Sequence, residues 1–229
     1  MSIQNIFLLI AAIVNLLMSI VVFSRGIKNK VNLYFGLLTF FNFLWALGLI
    51  LVNLAISYEF TRFFASFVYP VALMVVVSLY YFIVYFPYKT FELPKLYKNL
   101  ITFFVGLVTL FCIGAYKIFV QDVSFNQGVT IFYEMWSYTS YSILLVILMI
   151  LGIAVLFSKI KKAEGIFKVQ LKLILIAVII GTAVGSYSNL FMMYFYNCQY
   201  NHLGPLFTLF INFVVFYFIF FSQKSKQLS

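Results

Sequence analysis

The sequence predicts an all-α integral membrane protein, a seven-transmembrane helix bundle with its N-terminus outside and its C-terminus in the cytoplasm. Three observations carry this. Of the 229 residues, 65% are hydrophobic and only 9% charged, with 30 Phe and 17 Tyr and a mean hydropathy of +1.10; lipid, not water, is the solvent such a surface suits. Seven apolar segments are each long enough for a bilayer core of about 30 Å, which takes about 20 helical residues. The basic residues lie at the ends of these segments, nearly all on one side.

The first segment, 4–24, follows a start with no basic n-region and no small-residue cleavage site, so it reads as a retained helix rather than a signal peptide. The second runs over 32–55 and the third over 62–86. In the third, Arg62 marks the entry and Pro70 lies about two turns deeper, where it removes the bond to the Ser66 carbonyl and is expected to kink the helix. The fourth covers 99–117. The connection "IFVQDVSFNQGVTIFYEMWSY" mixes β-prone residues with turn residues and reads equally as a small hairpin or an irregular loop. The fifth segment, 136–157, leads through a lysine-rich turn to the sixth, 171–196, where "IIGTAVGS" sets Gly181 and Gly185 at G-x-x-x-G spacing. The seventh, 203–222, ends in a short tail, 223–229, and the whole chain reads as one membrane domain, 1–229. Short loops favour antiparallel neighbours in sequence order.

Charge fixes the predicted orientation. Arg25, Lys28, Lys30, Lys89, Lys95, Lys98, Lys159, Lys161, Lys162, Lys168, Lys172, Lys224 and Lys226 fall on one side, against Arg62 and Lys117 on the other. By the positive-inside rule the richer side is cytoplasmic. The acidic residues lean the other way, with Glu59, Asp122 and Glu134 outside and Glu92 and Glu164 inside. The formal charge of +10 is thereby explained by topology, and nucleic acid is not an expected partner.

Nothing in the sequence points to catalysis. The two cysteines, Cys112 and Cys198, form no metal-binding spacing, the single His202 sits in a polar turn, and no phosphate loop or hydrolase motif occurs. A non-enzymatic protein without metal or cofactor is expected. Ionisable residues are missing from the span centres, which argues against a proton pump or an ion-coupled carrier. The last span has no central lysine, which argues against a retinal protein. Scattered amides and hydroxyls remain, among them Asn15, Asn42, Ser78, Ser186, Asn189 and Asn212, and these suit interhelical hydrogen bonds. The outer half of the bundle gathers Trp45, Arg62, Tyr69, Pro70, Trp136, Tyr138 and Asn189, a candidate ligand-binding set, although aromatics near an interface also serve as belt residues.

Taken together the segments resemble the N-terminal seven-transmembrane sensor region of bacterial histidine kinases. The resemblance begins at "NKVNLYFGLLTFFNFLWALGLIL" and continues through "FTRFFASFVYPVAL" and "SYSILLVILMILGIAVLFSKIKKAEGIFKVQLKLILIAVIIG" to "SNLFMM" and "LGPLFTLFINFVVFYFIFF", roughly 5–222. On the matching positions Trp45, Arg62, Pro70 and Gln170 are the family-pattern residues. The resemblance implies a receptor-like module of the plasma membrane that binds a small or lipidic ligand and acts on a cytoplasmic signalling protein. Lys159, Lys161, Lys162, Lys168 and Gln170 are the candidate contact surface for that partner, or an anchor on anionic lipid. The 229 residues hold no kinase histidine box or ATP-binding region, so the expectation is either a separately encoded sensor or a piece of a longer signalling protein. A homodimer, a small transporter or channel, and a structural subunit of a larger membrane complex are the open alternatives.

Overall fold

A computed structural model describes residues 2–87, 95–125, 129–195 and 198–220. In chain order it places α1 (Ile3–Ser24), α2 (Lys30–Leu54), α3 (Tyr58–Tyr85), α4 (Lys95–Gly114), the single turn α5 (Tyr116–Phe119), the strands β1 (Val120–Ser124) and β2 (Thr130–Tyr133), α6 (Met135–Lys162), α7 (Gly165–Ser186) and α8 (Leu203–Phe220). Between α7 and α8 the chain winds through a π-helical turn, Tyr187–Phe191, and a 3₁₀ turn, Met192–Phe195.

Among the described residues, six helices are long and apolar enough to cross a membrane: α1, α2, α3, α4, α6, and α7 with its continuation to Phe195; α8 is apolar but shorter over its described length. The sequence predicts seven such segments, and the last residues of the seventh, 221–222, lie outside the described residues. So do the tail 223–229 with Lys224 and Lys226, and the loop positions Lys89 and Glu92. Several boundaries differ from the predicted ones, those of α4 (Lys95–Gly114) and the start of α7 (Gly165) among them, and two of the differences have a local physical reason. Ser57 caps α3 by accepting a hydrogen bond from the Phe60 N–H at 3.3 Å, so the helix starts a turn before Arg62. Helix α6 runs on through its basic last turn to Lys162, where lysines suit the negative end of the helix dipole. Helix α3 passes through the buried Pro70 without a break.

The patterning is that of a protein in lipid. On α1 the inward face carries Asn5, Ala11, Ala12, Asn15 and Ser19, whereas Ile6, Ile10, Ile13, Leu17 and Ile20 face outward. Small and polar groups inside allow close approach and hydrogen bonding, and lipid accepts the rest. Asn212 of α8 donates to Asn15 Oδ1 at 2.7 Å, and Asn42 of α2 donates to the Pro205 carbonyl at 3.2 Å. Bonds of this kind between helices are worth roughly 0.6 kcal/mol on average. Gly181 of α7 is used inside the chain, since a Cβ there would collide with Ile211 of α8.

The connection after α5 is a hairpin. Its antiparallel strands pair Val123 with Ile131 and Ser124 with Thr130, and a bulge lies between Val120 and Asp122. Val120 and Val123 are three apart and would face opposite sides of a regular strand; the extra residue brings both to the buried side. Among the described residues the two largest apolar clusters lie beneath the hairpin around Tyr69, Phe119 and Tyr138 and toward the lysine-rich end around Phe35, Phe82 and Leu171, and Trp45 packs against both; a smaller one gathers Tyr80, Tyr81 and Val84.

Candidate functional site

A long internal cavity runs down the centre, walled by α2, α3, α6, α7 and α8 and closed at the hairpin end by Ile131 and Tyr133. On α3 its wall extends from Val68 to Ile83, roughly 22 Å of helix at 1.5 Å per residue. About 80 Å³ is free, so the space is long and narrow. The lining is apolar along most of its length, with Leu49, Val76, Leu145 and Val178 typical. Polar groups gather toward the hairpin end, where Trp45, Tyr69, Tyr133, Asn189 and Asn201 meet.

Local structure explains that gathering. Gly204 opens the first turn of α8, and a Cβ there would collide with the Trp45 ring and the Asn189 amide, so only glycine lets α2, the π-helical turn and α8 converge. With its amide turned to satisfy both ends, Asn189 donates to the Asn201 carbonyl at 3.0 Å and accepts from the Gly204 N–H at 3.3 Å. The Asn201 Oδ1 atom is buried with no hydrogen-bond partner among the described residues.

Aromatic rings build the roof. Tyr69 makes edge contacts with Phe119, Tyr133, Tyr138 and Tyr141 at centroid distances of 5.0–5.8 Å, and Tyr141 donates to the Tyr69 carbonyl at 2.9 Å. Burial pushes the Tyr133 hydroxyl well above its ordinary value, the neighbouring Cys198 adding to this and a hydrogen bond with Tyr69 opposing it. The Cys198 thiol is pushed up by its own burial, partly offset by a hydrogen bond from the Ile131 backbone. Burial thus favours the uncharged forms of both groups.

The sequence-predicted ligand residues divide in two. Trp45, Tyr69 and Asn189 line the cavity. Arg62 lies instead at the base of the hairpin: Nε donates to the Val120 carbonyl at 2.7 Å, and a terminal nitrogen donates to those of Lys117 and Gln121 at 2.6 and 3.0 Å. It ties α3 to the roof. Tyr58 of α3 adds a bond from its hydroxyl to Asp122, and Glu59 accepts from Tyr116 and pairs with Lys117 at 3.4 Å. Tyr138 is buried beside the cavity, and its hydroxyl donates to the carbonyls of Asn189 and Leu190 at 3.1 and 2.9 Å. The π-helical turn is thereby held from α6. Pro70 is buried in α3 outside the lining, and Trp136 is 82% exposed, a position suited to the membrane interface. Tyr133, Tyr141 and Asn201 were missed by sequence reasoning; they come from a strand, a span and a turn, and no local pattern joins them.

The basic end corrects part of the predicted contact surface. Lys161, Lys162 and Lys168 are exposed. Lys159 is not, being 1% exposed: its ammonium donates to the carbonyls of Val84 and Phe86, each at 2.8 Å, at the C-terminus of α3. Gln170 is likewise buried in α7. A lysine one turn from a span end has enough reach to cap a neighbouring helix, and free carbonyls there favour that over water.

An apolar helical bundle with a roofed central cavity and a belt of lipid-facing side chains is a multi-pass membrane protein. The family model described as the N-terminal 7TM region of histidine kinase matches residues 7–226. The chain belongs to that family, and is a membrane sensor module of that type. No curated protein matches it.

Proposed function

We propose that the chain is the sensing member of a signalling pair in the plasma membrane. In this reading the chain has seven spans with the hairpin outside and the lysine-rich end in the cytoplasm, an orientation supported by the distribution of thirteen basic residues against Arg62 and Lys117. A small or lipidic ligand binds in the central cavity, contacting Trp45, Tyr69 and Asn189, while Arg62 and Tyr138 hold the walls it touches. Binding shifts the balance between two helix arrangements only as far as the ligand prefers one of them. Helix α3 spans the cavity from roof to basic end, and Lys159 fastens its last carbonyls to α6, so a displacement of α3 is passed on there. The exposed Lys161, Lys162 and Lys168 meet a cytoplasmic signalling protein.

The cavity is the observation that carries this reading: it lies inside the bundle, is polar at one end, and has no charged side chain among its described lining residues. Transport of a charged solute or ion would ask for ionisable groups along the path. Photocrosslinkers at Lys161 and Lys168 in native membranes are expected to capture a cytoplasmic protein of the phosphotransfer type. Substrate-dependent flux through vesicles containing only the purified chain would overturn the proposal.

A further inference from the structure

On the flank of the bundle, a lateral groove between α4 and α6 holds about 390 Å³ of space. Leu100, Phe104, Leu144, Ile147 and Leu151 are among its walls, and the hydroxyls of Tyr80 and Tyr97 are the only polar side-chain groups in the described lining. The groove exists because α4 packs chiefly on α3 and α5 and leaves its flank toward α6 uncovered. Only 12% of the most apolar stretch of α4 is buried, against 72% for α3. In hydrocarbon such a gap is filled, since side chains facing a void lose their dispersion contacts on that side.

We infer that this groove seats an anionic phospholipid from the leaflet at the lysine-rich end, with one acyl chain lying between α4 and α6. Volume sets the chain. An apolar cavity of about 150 Å³ takes a benzene ring, so 390 Å³ has room for on the order of fifteen carbon atoms. Charge sets the head group. Lys162 lies eleven residues beyond Leu151, within about 20° of the same face of α6 and about 16 Å nearer the basic end. Between them that face carries the half-buried Val155 and the exposed Ser158, so an open stripe leads from the groove to the exposed Lys162. From Leu144 to Lys162 the stripe covers about 27 Å of helix, against about 20–22 Å for one leaflet with its head groups. A single lipid spans it when the long Lys162 stem turns back toward the bilayer. Lys95, in the first turn of α4, is exposed at the same end and adds to the field that favours a phosphate. Lys162 is thereby taken up by lipid, and Lys161 and Lys168 are left to the proposed partner.

The test uses the full chain in phosphatidylcholine nanodiscs containing phosphatidylglycerol with a diazirine in mid-chain, and maps the labelled peptides as the mole fraction of probe rises. Labelling of Leu100–Phe104 and Ile147–Leu151 is expected to saturate and to be several times stronger than with the matching phosphatidylcholine probe. The outward face of α1, from Ile6 to Ile20, should take label in proportion to either probe. Ile147 lines the groove and is 48% exposed, so Ile147→Trp should fill the space and cut groove labelling by about tenfold with both probes. Unchanged α1 labelling then shows that the variant still folds. Lys162→Gln should reduce the preference for phosphatidylglycerol by about fivefold and leave labelling by the phosphatidylcholine probe as it was. Groove labelling that climbs without saturation, as on α1, would overturn the site. Saturable labelling equal for the two probes would overturn the anionic head group, and a preference untouched by Lys162→Gln would overturn the part given to that lysine. The inference stands on the fold alone, so none of these results bears on the sensor reading.

Discussion

Single side chains in this bundle act mainly by closing off backbone groups that neither water nor a helix partner would satisfy. Tyr138 does so for the carbonyls of Asn189 and Leu190. Tyr138→Phe keeps the ring and removes both bonds, and is expected to cost about 1–3 kcal/mol in a reversible unfolding measurement. Glu134 does the same for the first turn of α6, accepting from the N–H groups of Ser137 at 2.6 Å and Trp136 at 3.2 Å. Its hydrogen bonds with Ser137 hold the carboxyl below its ordinary value. The cap therefore contributes fully above the unfolded value of about 4.5 and is lost as pH falls through the lower folded value. Melting curves taken from neutral pH down past about 4 should fall more steeply for the native chain than for Glu134→Gln. Burial of Lys159 was not legible in the sequence, because a lysine beyond an apolar run has the same local pattern whether it anchors in water or folds back onto a neighbouring helix end.

At the scale of elements, the contacts that matter join helices far apart in sequence. Lys159 makes the basic ends of α3 and α6 one unit. Lys159→Met retains the apolar stem and withdraws the donor, leaving two carbonyls at the end of α3 without it. A loss of about 1–3 kcal/mol is expected, with faster amide exchange confined to the last turns of α3. The junction of α2, α8 and the π-helical turn depends on Gly204, so Gly204→Ala should destabilise by about 1–3 kcal/mol through overpacking against Trp45 and Asn189. The spans themselves were legible, since bilayer thickness sets a length that apolar runs must meet. The hairpin was legible only as one of two choices: the strand residues are present, but the bulge that turns Val120 and Val123 inward together breaks the alternation that identifies a strand.

Across the whole molecule, burial is unevenly shared, and that predicts where it opens first. Helix α3 is the most enclosed of the spanning helices and α4 the least. Hydrogen exchange in lipid nanodiscs should protect α3 longest and release α4 earliest among them; equal protection would contradict a bundle whose loose flank is α4. Family membership was readable from the order and spacing of short motifs, whereas the cavity was not, because its walls come from five helices and a strand. Trp45, Tyr69 and Asn189 were found as polar or aromatic residues at similar depth, and the same criterion also drew in Trp136, which faces outward. The π-helical turn at Tyr187–Phe191 has a consequence for all that follows it. A helix with 3.6 residues per turn advances about 100° per residue, so one residue of extra winding resets the rotational phase of the chain entering α8. Deleting a single residue there would swing Asn189 or its neighbours by that angle, and the meeting of Trp45, Asn189 and Gly204 would be lost with every side chain still present.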